Sequence, residues 1–239
     1  MEWSDRGIVL SSRRHGEGAA IVEVLTCTHG RHLGLVRGGA SMRQSQVLQP
    51  GNTLNFVWRA RLSEHLGTYR CEIATSRAAA LIETRQTVAG LQSLCALAHL
   101  LAERDPVEGL YSAFELILDQ MVDGGPWPAL MIRWEVELLR ELGFGLNFTS
   151  CASNGSCDNL IYVSPKSGRA VSASAGEPYR TKLLHLPQFL TQKSAPATGE
   201  DIISGLNMTG HFLVRDVLGP RSINLPDARE RLIRLLGES

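Results

Sequence analysis

Arginines set beside glycines are the residues best placed to do chemistry in this chain. They crowd residues 7–52, which read GIVLSSRRHGEGAAIVEVLTCTHGRHLGLVRGGASMRQSQVLQPGN. Arg13, Arg14 and His15 precede Gly16, Arg31 follows Gly30, Arg37 precedes Gly38 and Gly39, and Arg43 comes shortly after. A guanidinium presents a planar fork of donors that matches two phosphate oxygens, and glycine lets the backbone turn tightly enough to present it. The chemistry this suggests is phosphate gripping: affinity without sequence information, and a strong dependence on salt. Lys166, Arg169, Arg180 and Lys182 form a second basic cluster, which either extends such a track, receives an acidic partner or is merely solvated. His15, His29 and His32 lie in or beside the basic turns, with structural roles as the default and backbone contacts to nucleic acid as the alternative.

Bond-making chemistry is harder to find. The sequence has no P-loop, no GxGxxG after a strand, no HExxH and no GxSxG. The histidines are scattered, and no two of them pair at i, i+4. Acid pairs such as Glu135 and Glu137 fall on expected helices and read as a solvated face. No nucleophile meets a base, so no catalytic residue and no cofactor is expected, and the chain does not read as an enzyme. Cys151 and Cys157 flank the short loop CASNGSC, which could form half of a zinc site. Structural zinc takes four ligands, usually as two close pairs, and no second pair follows within the next 27 residues (158–184), so no metal is expected.

The elements that must position these groups change character along the chain. Residues 1–77 read as all-β. Residues 8–10, 21–25 and 33–36 are short aliphatic strands, 53–62 alternate apolar and polar positions, and 68–75 supply a fifth strand. Five strands in this length suit a small closed barrel of the OB type. Residues 40–49 read as a loop or short helix. Phe56, Trp58 and Tyr69 could stack bases, although alternation places Phe56 and Trp58 on one face and favours a core role for both. Residues 78–239 read as helical. Apolar stripes run through 91–101, 110–121 and 130–142, with Gly143 as a C-cap, and helices are expected over 179–192 (broken by Pro187), 199–218 and 226–236. Residues 150–178 form an irregular, glycine- and serine-rich insert with one strand at 160–163. The fold class expected is therefore α+β: an N-terminal OB-type barrel, then an α-helical domain carrying a small insert.

Composition narrows the function. The 239 residues carry 24 cations and 24 acids, with 44% hydrophobic and 20% charged residues, which excludes a histone-like binder and extensive disorder. The distribution is uneven. Residues 1–80 hold ten arginines against six acids, 81–160 four against eleven, and 161–239 ten cations against seven acids. No secretory signal and no apolar run of membrane-spanning length is present, and five cysteines at irregular spacing make no disulfide framework. The expected compartment is the cytoplasm.

Taken in order, these features resemble a known family. GIVLSSRRHGEGAAIVEVLTCTHGRHLGLVRG is followed by YSAFELILDQM, by RWEVELLRELGFGLNFTSC, by YVSPKSGRAVS and by HFLVRDVLGPRSINLPDARERLI. The series resembles the RecO family of bacterial recombination mediators, collinearly from Trp3 to about Leu236. Its most specific pieces are the turn at residues 16–18, the T-x-x-HGR-x-x-G-x-x-RG run, the LQPG of residues 48–51 and the helix end ELGFGLNF. The resemblance implies an OB-fold joined to a helical domain without a catalytic centre, binding single- and double-stranded DNA and annealing complementary strands. It implies cooperation with RecR, often with RecF, in loading RecA onto DNA coated by single-strand-binding protein, whose acidic C-terminal tail is contacted. Some members carry a four-cysteine zinc module after the junction helix. Here only Cys151 and Cys157 are present, so the insert resembles a degenerate zinc module. The residues expected to bind DNA are Arg13, Arg14, His15, Arg31, Arg37, Arg43, Lys166 and Arg169. The competing readings are a non-enzymatic adaptor whose barrel binds protein, and a nuclease, which would need clustered carboxylates that the basic head lacks.

Overall fold

Alternation in the first 75 residues is realised as a barrel. The computed structural model describes residues 1–192 and 194–238. Five strands, β1 (Glu2–His15), β2 (Ala19–Thr26), β3 (Arg31–Val36), β4 (Thr53–Arg59) and β5 (Thr68–Thr75), close in the order β1-β2-β3-β5-β4. Closure depends on β1, a single 14-residue strand rather than the short segment at residues 8–10 expected from sequence. Its first half pairs with β4, Glu2 opposite Arg59 through Ile8 opposite Thr53, and its second half pairs with β2 as far as His15 opposite Ala19. One strand can serve both neighbours because a bulge between Val9 and Ser11 bends it. The ring is completed by a parallel pairing of Leu35 and Val36 with Thr68 and Tyr69.

Val9, Val22, Val24, Val36, Leu54, Phe56, Trp58 and Tyr69 fill the barrel, and Leu48 joins them from the segment after α1 (Met42–Val47). Trp58 is 1% exposed and Phe56 3%, so both are core, as the alternation favoured. Tyr69 is core too, and its hydroxyl meets His32 Nδ1 at 2.9 Å, which removes all three rings from the set able to stack bases. Gly34 is required here, because a Cβ at that position would lie 2.6 Å from the Tyr69 ring.

The chain divides into two compact units, Met1–Trp127 and Pro128–Ser239. In the first, the barrel is packed by α2 (Ala78–Leu81), α3 (Arg85–Ala98) and α4 (Glu108–Asp123). The buried Arg77 joins the barrel to α4: its Nε donates to Asp119 at 2.7 Å and its Nη1 to Thr53 Oγ1 at 2.7 Å. Its backbone N–H donates to Asn52 Oδ1 at 2.9 Å.

In the second unit, α5 (Trp127–Glu141) precedes the insert, where a three-stranded sheet forms in the order β7-β6-β8 from β6 (Leu160–Val163), β7 (Ala170–Ser172) and β8 (Leu184–His185), with the single turn α6 (Ala173–Gly176) after β7. The helix expected over residues 179–192 is instead a 3₁₀ turn, Glu177–Lys182, then β8, then a second 3₁₀ turn, Gln188–Leu190. Pro178 and Pro187 each withhold a backbone N–H, and the intervening segment pairs with β6 instead. α7 (Gly199–Phe212) opens on a capping box between Thr198 and Asp201 and runs on as a π-helical segment, Leu213–Leu218. α8 (Asp227–Gly237) closes the unit. No described helix is long and apolar enough to cross a membrane.

Candidate nucleic-acid interface

Because Leu54, Phe56 and Trp58 of β4 point inward, Asn55, Val57 and Arg59 must point outward. On β5 the same logic turns Tyr69 in and Arg70 out. These outward positions, with Ser4 of β1, Gln44 of α1 and Arg37 from the connection after β3, line an open cleft of about 1160 Å³ on the barrel wall. Three guanidinium groups, those of Arg37, Arg59 and Arg70, border it. All three are exposed, and Arg59 donates to Glu2 at 2.8 Å. Of the two acids that also line the cleft, Asp5 is engaged: its Oδ2 accepts from Thr28 N and Oγ1 at 2.9 Å each and lies 2.8 Å from His29 Nδ1. Burial pushes the Asp5 carboxyl up, but these bonds outweigh it and hold the group below its usual range. The wall is thus a shallow, polar, cation-bordered trough, open enough to take an extended polyanion.

The residues singled out in the sequence are distributed around this feature. Arg13, Arg14 and His15 are exposed, but they are not in a turn: they form the paired end of β1, opposite Ile21, Ala20 and Ala19. The turn itself is residues 16–18, with Gly16 at φ +60°. Arg37 sits just before Gly38, whose φ is +71°, and Arg43 is exposed on α1. Arg31 has another task. Its Nη1 donates to Glu23 and its Nε to the Leu101 carbonyl at 3.0 Å, inside a part-buried network. Its guanidinium is committed to the protein rather than free for a phosphate. His29 stacks on Trp3 with ring centroids 3.8 Å apart, and His32 is buried, so both are structural. Lys166 and Arg169 lie in the second unit, exposed on the β6–β7 hairpin, whose Pro165 and Lys166 carbonyls accept from Arg215.

Two arginines of the cleft, Arg59 and Arg70, are absent from the sequence-based set because both fall on segments read as strands from their apolar residues rather than on the glycine-marked turns. A signal for them exists: once Phe56 and Trp58 are assigned inward, Arg59 has to face solvent. Glu135 departs from expectation in the opposite sense. It is fully buried, not solvated, and accepts from Arg229 Nε at 2.9 Å and Nη2 at 2.8 Å.

Among the described residues no group of three or more His, Cys, Asp or Glu side chains could hold a metal. Cys151 is buried and Cys157 exposed. Burial raises the Cys151 thiol, but hydrogen bonds from the Ser172 hydroxyl and from the backbone N–H groups of Ser172, Asn154 and Ser153 bring it down to about 7. Ser172 N donates to the sulfur at 3.3 Å, which ties the loop to β7.

Comparison with known proteins now adds to this geometry. Residues 1–77 match the family described as Recombination protein O N terminal, and residues 82–222 match Recombination protein O C terminal. The DNA repair protein RecO of Rhodopseudomonas palustris (strain TIE-1) is 53% identical over 240 residues, covering 99% of this chain and 96% of that protein. The proteins of the same name from Afipia carboxidovorans and Xanthobacter autotrophicus are each 51% identical, over 100% and 98% of this chain and 97% and 96% of their own lengths.

Proposed function

This chain belongs to the RecO family, whose function is in DNA repair and recombination, and on that premise we propose that it is a DNA-binding recombination mediator. The observation that carries the reading is the cation-bordered trough on a closed five-stranded barrel whose strand order, β1-β2-β3-β5-β4, is that of an OB-fold. Residues 1–77 are the DNA-binding domain. Arg37, Arg59 and Arg70 neutralise phosphates along the wall, with Arg13, Arg14, His15 and Arg43 extending the track on the same barrel. With its aromatic rings committed to the core, the barrel holds DNA chiefly through the backbone, which suits both single and double strands.

Annealing follows from that electrostatics without a nucleophile or metal. Two complementary strands repel each other; a surface that neutralises both lets the bases meet, and pairing supplies the rest. The protein therefore works as a non-enzymatic mediator. Residues 78–239 serve protein partners: RecR, and the acidic C-terminal tail of single-strand-binding protein, for which Lys166 and Arg169 offer exposed cations. With RecR, and RecF where present, it loads RecA onto coated single strands in the cytoplasm, at the nucleoid.

Fluorescence energy transfer between two labelled complementary oligonucleotides tests this, with no divalent metal and no nucleotide added. Annealing should run at least tenfold above the spontaneous rate and fall most of the way back in Arg37→Gln/Arg70→Gln. Annealing that is unaffected by that pair of changes, or strand cleavage in its place, would defeat the proposal.

A further inference from the structure

The bulge in β1 has a consequence for Arg13 and Arg14, which the sequence presents as equivalents. Side chains at paired positions of an antiparallel ladder share a face. Arg13 is opposite Ile21, on the outer side of β2, whereas Ser12 is opposite Val22 and Arg14 opposite Ala20. Val22 and Ala20 belong to the barrel core. Ser12 and Arg14 are therefore polar residues in the inward register, at the mouth of the barrel.

That mouth is shaped. Ser12 and Arg14 line a pocket of about 180 Å³, together with Gly39 and Ala40 from the β3–α1 connection, and Ser45 and Gln49 from α1 and the segment after it. Gly39 packs so closely over β2 that a Cβ there would meet Ala20 Cβ at 2.7 Å, so the connection forms a wall against the Arg14–Ala20 pair. Among the described residues no acid lines the pocket. The side chains of Ser12, Arg14 and Gln49 make no hydrogen bond among the described residues. The guanidinium of Arg14, the hydroxyl of Ser12 and the amide of Gln49 thus border, without a hydrogen-bond partner among the described residues, a space that would hold roughly six waters.

Resting on the DNA-binding reading above, we propose that this pocket seats the terminal phosphate of a nucleic-acid strand. An oxyanion is the one ligand that satisfies all three donors without adding an unmatched donor of its own. A terminal position fits better than an internal one on two counts. The pocket is walled by β1, by the β3–α1 connection and by the α1–β4 connection, so a chain can end in it more easily than run through it. A phosphate monoester also carries close to two negative charges near neutral pH against one for a diester, so a single arginine favours it. The barrel would then hold the body of a strand by its wall and register the end at its mouth.

The test is fluorescence anisotropy with oligonucleotides of one sequence bearing a 5′-phosphate, a 3′-phosphate or free hydroxyls at both ends. The wild-type protein should bind one of the phosphorylated strands roughly five- to tenfold more tightly than the hydroxyl-ended strand. Millimolar inorganic phosphate should erase that preference at constant ionic strength. Arg14→Gln should remove the preference, while Arg13→Gln should weaken binding of all strands alike and keep it. Arg14 is exposed, and an unchanged melting temperature would show that the variant folds. Equal affinity for all three ends in the wild type, or a preference that survives in Arg14→Gln, overturns the inference and leaves the DNA-binding reading standing. No binding to any strand at low salt would remove that reading, and this inference with it.

Discussion

Glu23 shows how a single residue can divert a cation from the surface. Its carboxylate accepts from Arg31 Nη1, lies 2.7 Å from His99 Nε2 and takes the Ser11 hydroxyl at 3.3 Å. Burial pushes Glu23 up, but the His99 and Arg31 bonds prevail and hold it below its usual range. The bond to Glu23 raises His99 against the opposing effect of burial. His32 behaves in the opposite way, since burial drives it down to about 4. A raised histidine contributes stability that is fully present below its unfolded value of 6.5 and is lost as pH rises through the folded value. A depressed one contributes stability present above 6.5 and lost as pH falls from there toward about 4, and Glu23 adds a further loss below 4.5. Thermal melting between pH 4.5 and 8.5 should therefore peak near 6.5. His99→Gln should flatten the alkaline side, at a cost of about 0.5–1 kcal/mol near pH 6, because the ring is part-exposed. An alkaline arm that is identical in the variant would show that the pair contributes nothing. None of this is legible from the sequence: Arg31 stands beside a glycine as Arg37 does, and only the β2–β3 register brings it to Glu23.

At the scale of elements, periodicity reveals most of what is present and pairing supplies the remainder. Residues 53–59 and 68–75 alternate as half-buried strands do, and the stripes of α3, α4 and α5 stand out because their apolar residues recur every three or four positions. β1 reads as three residues because its ends, rich in charge, carry no apolar signal, although they pair along their whole length. β7 and β8 are too short to show a period, and they are held by β6. Glu135 reads as solvated because its partner is 94 residues away on α8. There Arg229, itself buried, also donates to Thr209 Oγ1 at 2.9 Å and to the Leu206 carbonyl, joining α5, α7 and α8. Removing one member of such a pair strands the other charge in the core. Arg229→Met should destabilise the fold by about 3–5 kcal/mol, whereas Glu135→Met/Arg229→Met should recover most of that loss. Denaturant melts monitored by circular dichroism would decide it, and a single variant costing no more than the double would contradict the assignment.

For the whole molecule, a formal net charge of zero conceals an uneven distribution of charge. The basic excess of the first 80 residues is the part that shapes the candidate interface, and it is legible as composition. The trough itself is not, because it needs the barrel to close and to turn Arg59 and Arg70 outward from strands recognised by their apolar residues. Its proposed role is to bind DNA through distributed arginines that act on phosphates alone. Affinity for a labelled single strand across a salt series, for the wild type and for Arg37→Gln/Arg59→Gln/Arg70→Gln, measures this without intermediaries. Log affinity should fall linearly with log salt, and the slope should drop by roughly 0.7 for each phosphate no longer neutralised, about two in total for the triple variant. A slope unchanged by the three substitutions, or binding indifferent to salt, would mean that the trough does not hold DNA.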